Sequence, residues 1–236
     1  MKRLLILSLL FALPLTAAEP TSLTKEETKE GWKLLFNGKD LEGWRQYGSD
    51  QGPGPGWQVK DGVLVKVGGG NGGNIITKEK FTNYELSWEW NISRAGNNGI
   101  KYLVIEERPS ALGPEYQLLD DENHPDSKHG VKRHTAALYD ILPAAEDKPL
   151  NKPGEWNHSQ IIVKGKDVEH WLNGKKVLEY KLGSRELEEA IAKSKFANDK
   201  GFGEKVDGHI MLTDHHDSCS FRNLKIRPLP GGKGGQ

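Results

Sequence analysis

An antiparallel β-sandwich is the fold class that this sequence predicts, on three observations. About a dozen short segments alternate apolar and polar residues with period two, Tyr84–Ile92 most plainly. Turn signals such as Asp61-Gly62 and Asn173-Gly174 fall between such segments. Only Ser184–Phe196 has helical periodicity, so strands and helices do not alternate and a parallel α/β sheet is excluded.

Taken in order, residues 1–18 read as a signal peptide. Lys2 and Arg3 supply the basic end, Leu4 to Leu15 the apolar run, and Thr16-Ala17-Ala18 the small residues of a cleavage site. The run is shorter than the ~20 residues that span a bilayer, and no cysteine follows it for lipidation. The expectation is an extracytoplasmic protein, periplasmic or secreted, with no membrane anchor in the mature chain. The single cysteine, Cys219, allows no intrachain disulfide, so the core has to suffice alone. With 33 basic and 33 acidic side chains the formal charge is zero, and no basic stripe exists to neutralise phosphates; nucleic acid is excluded as a partner.

Residues 19–31 are polar and read as an N-terminal linker or short helix, residues 32–228 as one sandwich domain, and 229–236 as a tail. Within the domain, Trp32–Trp44 carries Leu34, Leu35 and Phe36 and then the turn Asn37-Gly38. Gly52–Gly56 alternates with proline and is a loop. Trp57–Val67 is a hairpin about Asp61-Gly62. Gly68–Asn74 is glycine-rich, but it lacks the Gly-Lys-Ser/Thr of a phosphate loop and opens no helix. Tyr84, Leu86, Trp88, Trp90 and Ile92 share one strand face, which is core. Gly96–Gly99 reads as a turn and Ile100–Glu106 as the next strand. Further strands are expected at 136–142, 156–164, 168–172, 177–180, 209–213 and 218–227. In the last of these the apolar phase changes between Phe221 and Leu224, which predicts a bulge near Arg222-Asn223. The helix over 184–196 has Ser184 as its cap and Leu187 and Ile191 in its apolar stripe.

The stretch Gly113–Asp126 stands apart. If 115–119 is extended, Glu115 and Gln117 project to one face and Tyr116 and Leu118 to the other. The loop beyond adds Asp120, Asp121, Glu122, Asn123 and His124, far more hydrogen-bonding capacity than a turn requires. A solvated Asx-rich turn closed by Pro125 is the bland alternative. The Glu-x-Gln pair feeding the loop favours chemistry.

Several short motifs in order resemble one family. Phe36-Asn37-Gly38-Lys39-Asp40-Leu41-x-Gly43-Trp44 is followed by Gly96-Asn97-Asn98-Gly99-Ile100 and Pro114-Glu115-Tyr116-Gln117-Leu118-Leu119-Asp120. Leu138-Tyr139-Asp140, Gly154-Glu155-Trp156-Asn157, Leu172-Asn173-Gly174 and Phe221-Arg222-Asn223 complete the set. Together they are similar to the 3-keto-disaccharide hydrolase domain, formerly a domain of unknown function. The resemblance implies a concanavalin-A-like jelly roll, a carbohydrate substrate held on a concave sheet, and a role in glycoside breakdown. The chain departs from the family pattern twice. Lys101 stands where many members have arginine, and Thr213-Asp214-His215-His216 replaces a common Gln-Asp-His-Gly run.

Jelly-roll glycosidases of the usual kind carry two carboxylates at i and i+4 of one strand, and here the residue four after Glu115 is Leu119. Two-carboxylate hydrolysis is therefore not the first choice. A ketone at C3 of a sugar acidifies the C2 proton, so a base can remove it and the enolate can expel the oxygen at C1. In that reading Glu115 is the base, with its pKa raised toward neutrality by burial. Lys101 stabilises the enolate, and His124 or His216 is the acid. Gln117, Asp120, Tyr139, Asn98 and His216 are the expected substrate contacts. No cofactor is identified. A divalent metal held by Asp214, His215, His216 and Asp217 with Asp120 and His124 is the alternative, although no zinc or EF-hand spacing is present. A non-catalytic carbohydrate-binding module of the same fold is the alternative function.

Overall fold

A computed structural model of the protein describes residues 21–108 and 110–230. The proposed signal peptide lies outside the described residues. The chain runs through α1 (Lys25–Lys29), β1 (Lys33–Leu34), β2 (Trp44–Gln46), β3 (Trp57–Lys60), β4 (Val63–Lys66), β5 (Ile75–Thr77), β6 (Tyr84–Ile92), β7 (Asn97–Val104) and β8 (Glu115–Leu119). Two 3-10 turns follow, at Pro125–His129 and Val131–Arg133. Then come β9 (Asn157–Lys164), β10 (Asp167–Leu172), β11 (Lys175–Lys181), α2 (Arg185–Ile191), β12 (His209–Leu212) and β13 (Cys219–Pro228).

The strands form two antiparallel sheets. One has eight strands in the order β11-β10-β9-β6-β13-β4-β3, with β1 also paired to β13. The other has five, in the order β2-β5-β12-β7-β8. Their facing sides make the core. Trp88 meets Tyr116 edge to face at 5.1 Å between ring centres, and both rings are fully buried. Each apolar side chain buried this way contributes about 2 kcal/mol of transfer free energy.

Several polar groups that enter the core arrive with partners, because an unpaired one there is costly, although Tyr84 Oη and Trp88 Nε1 are buried without one. Trp90 Nε1 donates to Ser159 Oγ at 2.9 Å. His170 Nδ1 lies 2.9 Å from Ala136 O and so donates to it. Its Nε2 then accepts from Tyr102 Oη at 2.7 Å, and Tyr180 Oη lies 2.5 Å from Tyr102 Oη. This chain of four groups ties the two sheets to the turn after β8.

Most of the expected elements are present. The hairpin turns at Asp61-Gly62 and Asn173-Gly174 have positive φ at both residues, the geometry that matches the twist of the strands. The register of β13 against β6 shifts between Arg222 and Lys225, as the bulge requires.

Three expectations are corrected. The helix ends at Ile191, not 196, and the chain beyond it coils back so that Lys195 N donates to Asp140 Oδ2 at 2.8 Å. Asn97–Gly99 belongs to β7, because β8 pairs with it from Asn97↔Leu119 to Lys101↔Glu115. Residues 136–142 form a tight turn in place of a strand. Ala136 and Asp140 have φ of 66° and 63°, and an apolar turn buried on both sides resembles a strand in composition. That turn lies along the outer edge of β8. Ala136 N donates to Gln117 O, Gln117 N to Ala137 O and Tyr139 N to Glu115 O. Leu138 makes an isolated bridge with Tyr116. Among the described residues no helix is long and apolar enough to cross a membrane.

Candidate active site

The alternation of β8 settles which side chains face outward. Tyr116 Oη reaches Ser159 Oγ and Trp171 O in the opposite sheet, so Glu115 and Gln117 project to the outer face of the five-stranded sheet. Lys101 is the cross-strand partner of Glu115, and Gly99 of Gln117; they share that face. The same face carries Ile76, Val104 and Met211, covered by Tyr47 and Ala111.

Glu115 is 5 % exposed. Its carboxylate lies back along β7 over Gly99, where a Cβ would overlap Oε1 and come within 2.9 Å of Cδ. Glycine at 99 is what lets the carboxylate lie there. Oε2 is 3.9 Å from Lys101 Nζ, and Oε1 is 3.6 Å from His215 Nε2. Oε1 is buried without a hydrogen-bond partner. Such an oxygen normally costs stability, and here it lies between Gly99 and His215 on the outer side of the sheet. Burial is the strongest single influence on this carboxyl and pushes its pKa up. Lys101, His215 and Lys195 together outweigh it and hold the pKa below the ordinary carboxylate value. The expectation of a pKa raised toward neutrality is therefore corrected: the shift runs downward, because these side chains outweigh burial.

Lys101 Nζ is held by Ala111 O at 3.0 Å. It lines a cavity of about 380 Å3 together with Ala111, Leu112, Lys195 and Phe196. Lys195 is exposed as a residue, and its ammonium packs over the rings of Tyr139 at 4.2 Å and Phe196 at 4.9 Å. Burial of that end lowers the ammonium pKa; Glu115 pulls it up and Lys101 pushes it down. The Lys195 backbone is placed by a clamp around Arg133. The guanidinium binds Asp126 Oδ1 and Asp140 Oδ1, each at 2.7 Å. Tyr139 Oη donates to Asp126 Oδ2 at 2.8 Å. Burial and the Asp126 carboxylate raise the Tyr139 pKa, so it keeps its proton.

His215 is placed from the other side. Lys66, fully buried on β4, is 2.8 Å from Asp214 Oδ1 and donates to Val67 O and Gly70 O. Asp214 Oδ2 accepts from Gly72 N and Gly73 N, and Oδ1 from His216 N. This buried knot fixes residues 214–216 against the glycine-rich loop. Consecutive histidines then face different ways: His215 toward Glu115, and His216, at φ 68°, into a second cavity of about 680 Å3.

Of the expected site residues, the structure brings Glu115, Lys101, Gln117 and Tyr139 together. Gln117 Nε2 donates to Asn97 Oδ1 at 3.2 Å. Asp120 is turned away; its carboxylate caps Ala95 N, Glu122 N and Asn123 N. Asn98 is fully buried, donating to Thr213 O and accepting from Gly99 N. His124 takes Asp126 N on Nδ1 and meets Asp217 at 3.9 Å, with no close approach to Glu115. Sequence reasoning missed His215 as a neighbour of Glu115, and also Gly99, Arg133 and Lys195. The replaced Gln-Asp-His-Gly run was the signal for the first. Among the described residues no three His, Cys, Asp or Glu side chains converge as metal ligands.

A jelly-roll sandwich that holds a buried carboxylate beside Lys101 and His215 on one sheet face suits a carbohydrate-active protein of the glycoside-cleaving kind. The comparisons agree with that class. The chain belongs to the family of the 3-keto-alpha-glucoside-1,2-lyase-like domain, whose model matches residues 31–227. It is 38 % identical to a 3-keto-disaccharide hydrolase of Bacteroides thetaiotaomicron, over 91 % of this chain and 84 % of that protein. A crystal structure from Parabacteroides distasonis, provisionally described as a glycosyl hydrolase, superposes with a TM-score of 0.80 at 36 % identity, covering 90 % of this chain and all of the other. A second from the same organism, described likewise, gives 0.68 at 31 % identity over 84 % of this chain and 99 % of the other.

Proposed function

We propose that the protein cleaves 3-keto-glucosides, 3-keto-disaccharides among them, by elimination across C2 and C1. The observation that carries this is the order of groups on the sheet face: Lys101, then the Glu115 carboxylate, then His215. A 3-keto sugar presents its carbonyl, its acidic C2–H and its C1–O bond in that same order. Glu115 takes the C2 proton, and the electron pair moves into an enolate whose oxygen faces Lys101 and Lys195. The enolate collapses, the C1–O bond breaks, and His215 gives its proton to the departing oxygen. The products are an enone sugar and a free alcohol. The relatives' descriptions divide between lyase and hydrolase, which differ by the addition of water to that enone.

His215 takes the acid role here because it faces Glu115, whereas His124 and His216 face elsewhere. Gln117, steadied by Asn97, and Tyr139 bind the keto ring. Asp120 and Asn98 position the backbone around it. Export is part of the same proposal, supported by the leader-like residues 1–18. Intact mass of the natively exported protein should begin near Glu19, and retention of Met1 would defeat it.

The test of function is incubation of the purified protein with a 3-keto-glucoside and with the parent glucoside. Alcohol release from the first alone is expected, with a new enone absorbance or a hydrated sugar as co-product. Binding of the keto sugar without release would instead favour a carbohydrate-binding module.

A further inference from the structure

The cavity into which His216 looks has no role in the steps above. It is lined by the side chains of Gln46, Gln51, Asn71, Asn74 and His216 and by the Gly-Pro backbone of residues 52–55. Its one carboxylate, Asp214, is fully spent on Lys66 and three backbone N–H groups. What remains for a ligand is chiefly amides, which offer donors and acceptors without charge. Asn74 Oδ1 already accepts from Asp214 N at 2.9 Å, which fixes the amide and leaves its Nδ2 as a donor. Gln51 and Asn71 stand exposed at the mouth. That chemistry suits a neutral polyol, whose hydroxyls both donate and accept, and suits neither an anion nor an apolar group.

The position matches as well. Thr213 N donates to Gly99 O at 3.1 Å, and the next residue, Asp214, donates to Asn74. Gly99, Thr213 and Asn74 therefore lie side by side, and two strand spacings, about 10 Å, separate the Glu115 carboxylate from the cavity wall. Two linked pyranose rings have that reach. His215 stands between, at the point where the linking oxygen would sit. The cationic cavity of Lys101 and Lys195 is on the other flank of Glu115, where an enolate oxygen belongs.

We infer that the Gln46–Gln51–Asn71–Asn74 cavity is a subsite for the leaving group, and that it selects a neutral sugar ring there. This rests on the proposed elimination for the direction of the substrate, though binding itself does not require turnover.

Two measurements test it. The double variant Gln51→Ala/Asn71→Ala should lower kcat/KM for a 3-keto-disaccharide about tenfold relative to an aryl 3-keto-glucoside, whose leaving group makes no amide contacts. An unchanged ratio would overturn the subsite. Independently, titrating the 15N-labelled wild-type protein with glucose should move the side-chain NH2 signals of Gln46, Gln51 and Asn71. Signals that stay fixed up to high millimolar glucose would overturn it too. Should neither keto sugar be turned over while these signals move, the subsite stands and the proposed reaction falls.

Discussion

Gly99 is the floor on which the Glu115 carboxylate rests: a Cβ at position 99 would overlap Oε1. The φ of Gly99 is not positive, so alanine meets no backbone strain there. The substitution Gly99→Ala therefore acts first on the Glu115 side chain, whose atoms are the nearest to the new Cβ. Displacing a reacting group by about 1 Å costs about 10²-fold in rate. We expect Gly99→Ala to fold, to lose about 1–2 kcal/mol by overpacking, and to lose kcat by about two orders of magnitude. Turnover with thermal unfolding checks both figures; full activity would mean the carboxylate is not held in place for the reaction.

Glu115→Gln keeps the shape and removes the proton acceptor. The protein should fold with nearly unchanged thermal stability and lose turnover by about 10²-fold or more. Leu118→Gln is the contrast, because its side chain faces the core between the sheets. Burying an unpartnered amide there should lower stability by about 2 kcal/mol or more. Paired melting and turnover assays separate the two faces of β8.

His215→Asn should slow release of sugar leaving groups by about 10²-fold. Release of p-nitrophenol, which departs without a proton, should suffer far less. Equal losses on both substrates would show that the imidazole acts by some means other than proton donation.

The Tyr180–Tyr102–His170–Ala136 chain predicts a pH dependence. Burial lowers the His170 pKa from the ordinary 6.5 to about 4, with its bond to Ala136 O opposing the shift. The unfolded chain binds this proton more readily than the folded one. Stability from this group is therefore complete above pH 6.5 and is lost as pH falls toward about 4, by about 3 kcal/mol in all. Urea unfolding at pH 7, 5 and 4 should show the decline. His170→Phe should flatten it, and an equal slope in that variant would assign the pH dependence elsewhere.

Much of this was legible in the sequence for a physical reason. Period-two alternation with large aromatics, as in Tyr84–Ile92, records a strand buried on one face, and positive-φ pairs such as Asn173-Gly174 record hairpins. The register of Glu115 and Gln117 came from the same rule. What stayed hidden depends on contacts between distant segments. The facing of His215 depends on the buried Lys66–Asp214 pair, and neither residue's neighbours reveal it. Lys195 reaches the site because the helix ends at Ile191 and Asp140 then accepts from the Lys195 backbone N–H. The lowered pKa of Glu115 reflects Lys101, His215 and Lys195, drawn from three separate segments, where burial alone argued for a raised one.

The turn at 136–142 has a consequence for solubility. β8 is the last strand of its sheet, and such a margin normally presents a row of free N–H and C=O groups to which another chain can add a strand. Here Ala136, Ala137 and Tyr139 bind the backbone of Glu115 and Gln117 along that margin. The strand bearing the carboxylate is thereby closed to edge-to-edge association by its own chain, and the protection comes from the turn rather than from a further strand.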